Sequence, residues 1–251
     1  MKLHSLKFTP LFAMFLALSV SSAFALRPLS TDRPDVTESP HTVDAGHFQF
    51  EMEIANWSRD EYSFAELNSK IGLDACNDLQ LVMPFFTHVD GGGEGFGDIQ
   101  IRWKHNFWGN DDGSTALAVM PFIKLPTANN DLGNGKLEGG IIVPFGFEGP
   151  AGWDCAVMAE ADLETDEDEQ GSHFVAVTSA TTSHSVTENT GIFLELVSVL
   201  SAESSANWEA YFNTGMVWAI TPLWQLDGGV RVGLTDASVD FMPFLGLSTK
   251  L

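Results

Sequence analysis

The chain has 251 residues, 44% of them apolar, and its 34 acidic residues against 12 basic ones give a net charge of −22. So acidic a chain excludes nucleic acid as a partner, because phosphates need Lys and Arg to neutralise them. Its two cysteines, Cys76 and Cys155, fall on well-separated parts of the pattern described below, beyond the Cα separation of about 7 Å that a disulfide allows, so free thiols are expected.

Residues 1–25 read as an export signal: Lys2 and Lys7 make a basic start, residues 11–20 are apolar, and Ala23-Phe24-Ala25 is a small-residue cleavage pattern. Cleavage after Ala25 leaves 10 basic against 34 acidic residues, a net charge of −24. The apolar core is too short to cross a bilayer as a helix, and no later window approaches about 18 uninterrupted apolar residues. Residues 26–45 have no periodicity and contain Pro28, Pro34 and Pro40. Proline removes ladder donors, so this stretch is expected as an extended arm or periplasmic plug.

From 46 to 251 the pattern changes to strict alternation. His47–Ile54 is the type segment: Phe48, Phe50, Met52 and Ile54 share one strand face, and His47, Gln49, Glu51 and Glu53 share the other. Twelve such strands are predicted near 47–57, 63–75, 79–88, 97–107, 115–125, 138–147, 153–163, 173–184, 190–200, 207–220, 224–234 and 241–251. Most are ten to fourteen residues, enough for a tilted membrane strand, which needs about 9–11. The eighth, rich in Ser and Thr, shows the least contrast between its faces.

Short turns (76–78, 108–114, 148–152, 185–189, 221–223) follow the even-numbered strands. Longer, Gly-rich or acidic loops (89–96, 126–137, 164–172) lie at the other end. That asymmetry predicts periplasmic turns, external loops and both termini in the periplasm. Trp57, Trp103, Trp108, Trp153, Trp208, Trp218 and Trp224 cluster toward strand ends, where amphipathic rings anchor at headgroup level. The fold class expected is all-β: a closed antiparallel transmembrane barrel of about twelve strands with oily side chains outward and polar ones inward. A β-sandwich is the alternative, in which the apolar faces form the core.

Three groups of segments resemble one family: Ser30–Pro40 (STDRPDVTESP) with the strand opening at Gly46; Gly97-Asp98-Ile99 with Lys104 and Lys124-Leu125-Pro126-Thr127; and Glu195, Thr221-Pro222, Gln225–Gly229 and Gly233-Leu234-Thr235. They resemble outer-membrane proteins of the "MetA-pathway of phenol degradation" type. The resemblance implies an outer-membrane barrel acting as a channel or uptake component for small, often hydrophobic compounds. One feature departs from many outer-membrane barrels: the chain ends in Leu251, not in the aromatic residue that the assembly machinery reads.

Parity puts Glu51, Glu53, Lys70, Asp98, Arg102, Lys104, Glu195, Asp227 and Arg231 on the lumen face as pore candidates. Acids outnumber bases there. Such charges either pair into a lattice that rigidifies the barrel or form a lining that selects cations and neutral polar solutes. In the arm, Asp32, Arg33, Asp35 and Glu38 are the plug candidates, with Arg33 expected to pair bidentately with Glu195 or Glu51. The run at 164–169 lacks the spacing of a calcium loop and reads as a solvated tip.

No catalytic motif is present. His105 falls on the lipid face with no serine beside it, and His41, His47 and His173 lack metal-ligand spacing. No cofactor and no metal are expected. The expected partners are outer-membrane lipids, small organic solutes and, during biogenesis, the barrel assembly machinery. The function expected is passive uptake of small, aromatic or hydrophobic organic compounds. The alternatives are a non-conducting structural or sensing barrel, and a membrane lipid hydrolase.

Overall fold

Alternation of lipid-facing and water-facing side chains forces extended backbone, and the pairing that results leaves no free edge. The computed structural model describes residues 26–59, 61–129, 132–166 and 170–251; the export signal expected at 1–25 lies outside them. Twelve long strands follow one another: β1 (Phe48–Trp57), β2 (Glu61–Gly72), β3 (Asn77–Val89), β5 (Ile99–Trp108), β6 (Thr115–Leu125), β7 (Glu138–Glu148), β8 (Asp154–Thr165), β9 (Ser172–Ser185), β10 (Thr190–Ser201), β11 (Glu209–Thr221), β12 (Trp224–Gly233) and β13 (Phe241–Lys250). A two-residue strand, β4 (Glu94–Gly95), folds back on β3.

Each long strand pairs antiparallel with its chain neighbours, and β1 pairs with β13, so the ring is closed. The first and last strands meet in register from Gln49↔Lys250 to Asn56↔Phe244, with a bulge between Glu53 and Ala55. At the seam, the Leu251 N–H donates to the Phe48 carbonyl at 2.8 Å and the Phe48 N–H to the Leu251 carbonyl at 3.1 Å. Closure abolishes the unpaired edge that would be intolerable in hydrocarbon.

Burial is inverted relative to a water-soluble sandwich. Among the described residues, 22 polar or charged side chains are buried against 12 hydrophobic ones. Lys104, Asn213 and Asp78 are fully enclosed, while Phe174, Leu196 and Met216 stand more than half exposed on the outer face. Rings collect at the rims of that face: Tyr62 stacks on His88 at 4.7 Å at the long-loop end, and Trp153 on His184 at 5.0 Å at the short-turn end. An apolar exterior on a closed sheet is a membrane-spanning surface, and strand-built spans of this kind belong to outer membranes. Cys76 and Cys155 are free.

The interior differs from a uniformly polar lining. Met120 of β6, Ile142 of β7 and Met158 of β8 form a buried apolar cluster, with Val36, Phe122 and Val177 packed against it. The middles of β6 and β7 are apolar on both faces, so a greasy patch interrupts the charged lining.

Candidate functional site

A segment that enters a barrel without joining its sheet must satisfy its backbone polar groups some other way. Residues 26–45 do so by running into the lumen from the short-turn end and back out, with lumen side chains as partners. At the base of this loop, Arg27 Nε donates to Asp44 Oδ1 at 2.7 Å. The Lys250 ammonium donates to the Arg27 carbonyl at 2.6 Å and to Asp44 Oδ2 at 3.0 Å, tying both ends of the loop to β13. Ala45 then bridges Gly72. No side chain fits at Gly72, because a Cβ there would lie 2.0 Å from the Asp44 carbonyl oxygen.

Deeper in, Asp32 is the hub. Its carboxylate accepts from the Lys104 ammonium at 2.6 Å, from the Lys70 ammonium and from the Ser39 N–H at 2.9 Å, joining the two limbs of the loop. Its own N–H donates to Glu51 Oε2 at 2.9 Å, and Lys70 also pairs with Glu51. Burial alone would raise the Asp32 carboxyl, but Lys104 and Lys70 overrule it and hold it far below the usual carboxylate range. On the returning limb, Lys104 also donates to the Ser39 carbonyl at 2.7 Å, and Asn106 to that of Pro40 at 2.8 Å.

At the apex, Arg33 forks between two wall carboxylates: Nη1 to Glu53 Oε2 at 3.0 Å and Nη2 to Asp227 Oδ1 at 2.9 Å. This corrects the partners expected from sequence, Glu195 and Glu51. Glu51 is taken by Lys70 and the Asp32 amide. Glu195 caps the next stretch of arm, accepting from the Val36 N–H at 2.9 Å, the Thr37 N–H at 2.7 Å and the Asn213 amide at 2.6 Å. Parity names the face a residue is on; it does not give its height along the barrel. Gly246 makes room for the fork, since a Cβ there would meet the Arg33 guanidinium at 2.3 Å.

Of the remaining candidates, Arg102 donates to Glu38 Oε1 at 2.8 Å, and Arg231 lies over the Phe244 ring at 5.4 Å. Burial, then the adjacent Glu195, pushes Asp35 up to about 8. Burial and the neighbouring Asp32 push Glu38 to about 7, against the pull of Arg102. Asp98 is a correction: it precedes β5 and accepts from the Thr127 and Ala128 N–H groups, each at 2.8 Å, organising the long-loop end and not lining the lumen. Its position at the strand mouth, where loop amides need an acceptor, accounts for the difference. Sequence reasoning did not single out Gln49, Asn106, Ser179 or Asn213, which bond the arm or its cap. Their inward parity was the available signal. His173, which sequence left without a metal role, donates from Nδ1 to Asp166 Oδ1 at 2.9 Å, and its Nε2 lies 3.9 Å from Glu203 Oε2.

The arm divides the lumen. On the short-turn side a cavity of ≈ 620 Å³ lies between it and the wall; on the long-loop side is a second of ≈ 240 Å³. Arg33, Pro34, Asp35 and Glu38 line both.

The model of the family described as "Putative MetA-pathway of phenol degradation" matches residues 31–251. The chain belongs to that family. The match begins inside the arm, at Thr31. No curated protein matches the sequence. Among solved structures, the chain is similar to the COG4313 outer membrane channel from Pseudomonas putida F1 (14% identity, TM-score 0.63, 88% of this chain and 100% of that one). It is also similar to the NanC porin (8% identity, TM-score 0.60, 81% of this chain and 100% of that one). At such identities the likeness concerns the fold.

Proposed function

We propose that this family member is a passive outer-membrane channel for small organic compounds, closed by the loop of residues 26–45. The observation that carries this reading is the division of the lumen: Arg33, Pro34, Asp35 and Glu38 at the apex of the loop line the cavities on both sides. A structural barrel would fill that space with wall side chains. Here the closure comes from a tethered loop held by hydrogen bonds and ion pairs, which can exchange with water. Once the loop yields, a solute passes between the charged wall and the strip of Met120, Ile142 and Met158. Such a path suits molecules with an aromatic or hydrophobic body and a polar end. Transport of this kind needs no cofactor or metal.

In this reading Glu51, Glu53, Lys70, Arg102, Lys104, Glu195 and Asp227 hold the closed state, Arg231 lines the lumen beside them, and residues 1–25 direct export. The assembly machinery inserts the barrel during biogenesis. Liposome swelling tests the proposal. Liposomes carrying the mature chain should swell slowly in aromatic acids, sugars or amino acids, and those carrying a deletion of 26–45 rapidly. Equal, negligible swelling with both would establish a non-conducting barrel. Lipid turnover by pure folded protein would favour the hydrolase.

A further inference from the structure

The charges of the long-loop chamber do not balance. Four lumen cations are occupied: Lys70 and Lys104 with Asp32, Arg33 with Glu53 and Asp227, Arg102 with Glu38. Two further wall carboxylates, Glu66 and Glu160, face the chamber and make no ion pair among the described residues. The cation left over on the lining is Arg231, whose guanidinium is spread over Phe244. An anion therefore finds little to hold it.

Two acceptors are also unmet, against one donor, Nε of the Arg231 guanidinium that lies over Phe244. Glu38 Oε2 and Asn68 Oδ1 are buried, line the chamber, and receive no hydrogen bond from any described residue. An acceptor enclosed without a donor carries its full desolvation penalty, so the chamber calls for donors. These oxygens and carboxylates are not gathered for a bare metal ion. Among the described residues, the one group of three ligand atoms lying within 4.8 Å of each other is Asp166, His173 and Glu203, none of which lines this chamber. The acceptors stand around a space of ≈ 240 Å³, room for about eight waters. Val82 and Ile142 give that space an apolar side.

We infer that the chamber is a binding site for a small organic ammonium ion with a short hydrocarbon body. The ammonium offers three donors, directed to Glu38, Asn68 and the carboxylates of Glu66 and Glu160, and the body rests on Val82 and Ile142. This inference rests on the channel reading for its purpose, naming the solute class that the channel would admit from the long-loop side.

Binding to the folded, detergent-solubilised mature protein tests it directly by titration calorimetry at pH 7.5. The probes are phenethylammonium, phenylacetate, 2-phenylethanol and calcium chloride. Phenethylammonium is expected to bind at least ten-fold tighter than the anion and the alcohol. The double variant E66Q/E160Q is expected to lose at least ten-fold of that affinity. Retention of the heat-resistant band on a gel shows that the variant is folded, and the ligand series on unmodified protein decides the matter without it. Equal or tighter binding of phenylacetate, or no binding of phenethylammonium, would overturn the inference. So would calcium excluding the ammonium at equal concentration. The two readings fail separately: binding without solute flux in liposomes sinks the channel and spares the site, and flux without charge discrimination in binding does the reverse.

Discussion

Replacing Arg33 by alanine removes the cation that sits between Glu53 and Asp227 at the apex of the lumen loop. The Asp227 side chain is fully enclosed there, and Glu53 nearly so. Removing one partner of a buried pair costs about 3–5 kcal/mol, because the surviving charges are left without compensation. That penalty falls on the seated loop alone: once the loop leaves, water reaches both carboxylates. At about 1.4 kcal/mol per factor of ten, the R33A variant should shift the closed–open balance toward open by roughly two to three and a half orders of magnitude. Single-channel recording in planar bilayers reads this as long openings of the conductance seen when residues 26–45 are deleted. If R33A stays as closed as the unmodified protein while the deletion conducts, Arg33 does not anchor the loop. If the deletion also leaves conductance unchanged, the loop is not a closure at all.

Three further outcomes follow from the same geometry. Gly246→Ala places a Cβ against the Arg33 guanidinium, so it should raise the open fraction in the same recordings, by less than R33A because the side chain can shift. Glu195→Gln replaces a carboxylate that accepts from the Val36 and Thr37 N–H groups and from Asn213. The loss of about 1–3 kcal/mol should open the channel more often, and an unchanged open fraction would remove Glu195 from the seat. The third concerns pH. Asp35, raised to about 8 by burial and Glu195, and Glu38, raised to about 7 by burial and Asp32, bind protons more tightly seated than free. Seating is therefore strongest below their ordinary values of 3.8 and 4.5 and weakens until about pH 8. Asp32, which Lys104 and Lys70 hold low despite burial, loses its contribution only below 3.8. His41, lowered by burial and then by Lys104, favours seating as pH rises to 6.5. Between pH 6.5 and 8 the two raised carboxyls decide, so the open fraction should grow there; a fall would contradict the assignment.

The wall was legible in the sequence because lipid on one side and water on the other impose a period that every strand must keep. Even the Ser/Thr-rich eighth segment forms the 14-residue β9. What escaped was structure set by non-local contacts. Arg33 meets Asp227 across 194 positions of sequence, and no local pattern encodes which of several inward carboxylates lies at its height. The apolar lumen strip was hidden because Met120 and Ile142 sit on strands with little contrast between faces, and Met158 shares its face with Asp154, Glu160 and Asp162. Strand β4 lies in a glycine-rich loop whose residues carry no alternation. Asp98 misled because parity was extended one residue beyond the strand it precedes.

If the channel is closed by the loop, solutes must cross where residues 26–45 now lie. Thr37 Oγ1 and Ser179 Oγ are 2.7 Å apart, close enough for cysteines at both positions to form a disulfide between loop and wall once Cys76 and Cys155 are changed to serine. In liposomes the oxidised T37C/S179C protein should block solute entry and the reduced protein should admit it. Equal flux in the two states would mean that the route through the barrel does not depend on the loop.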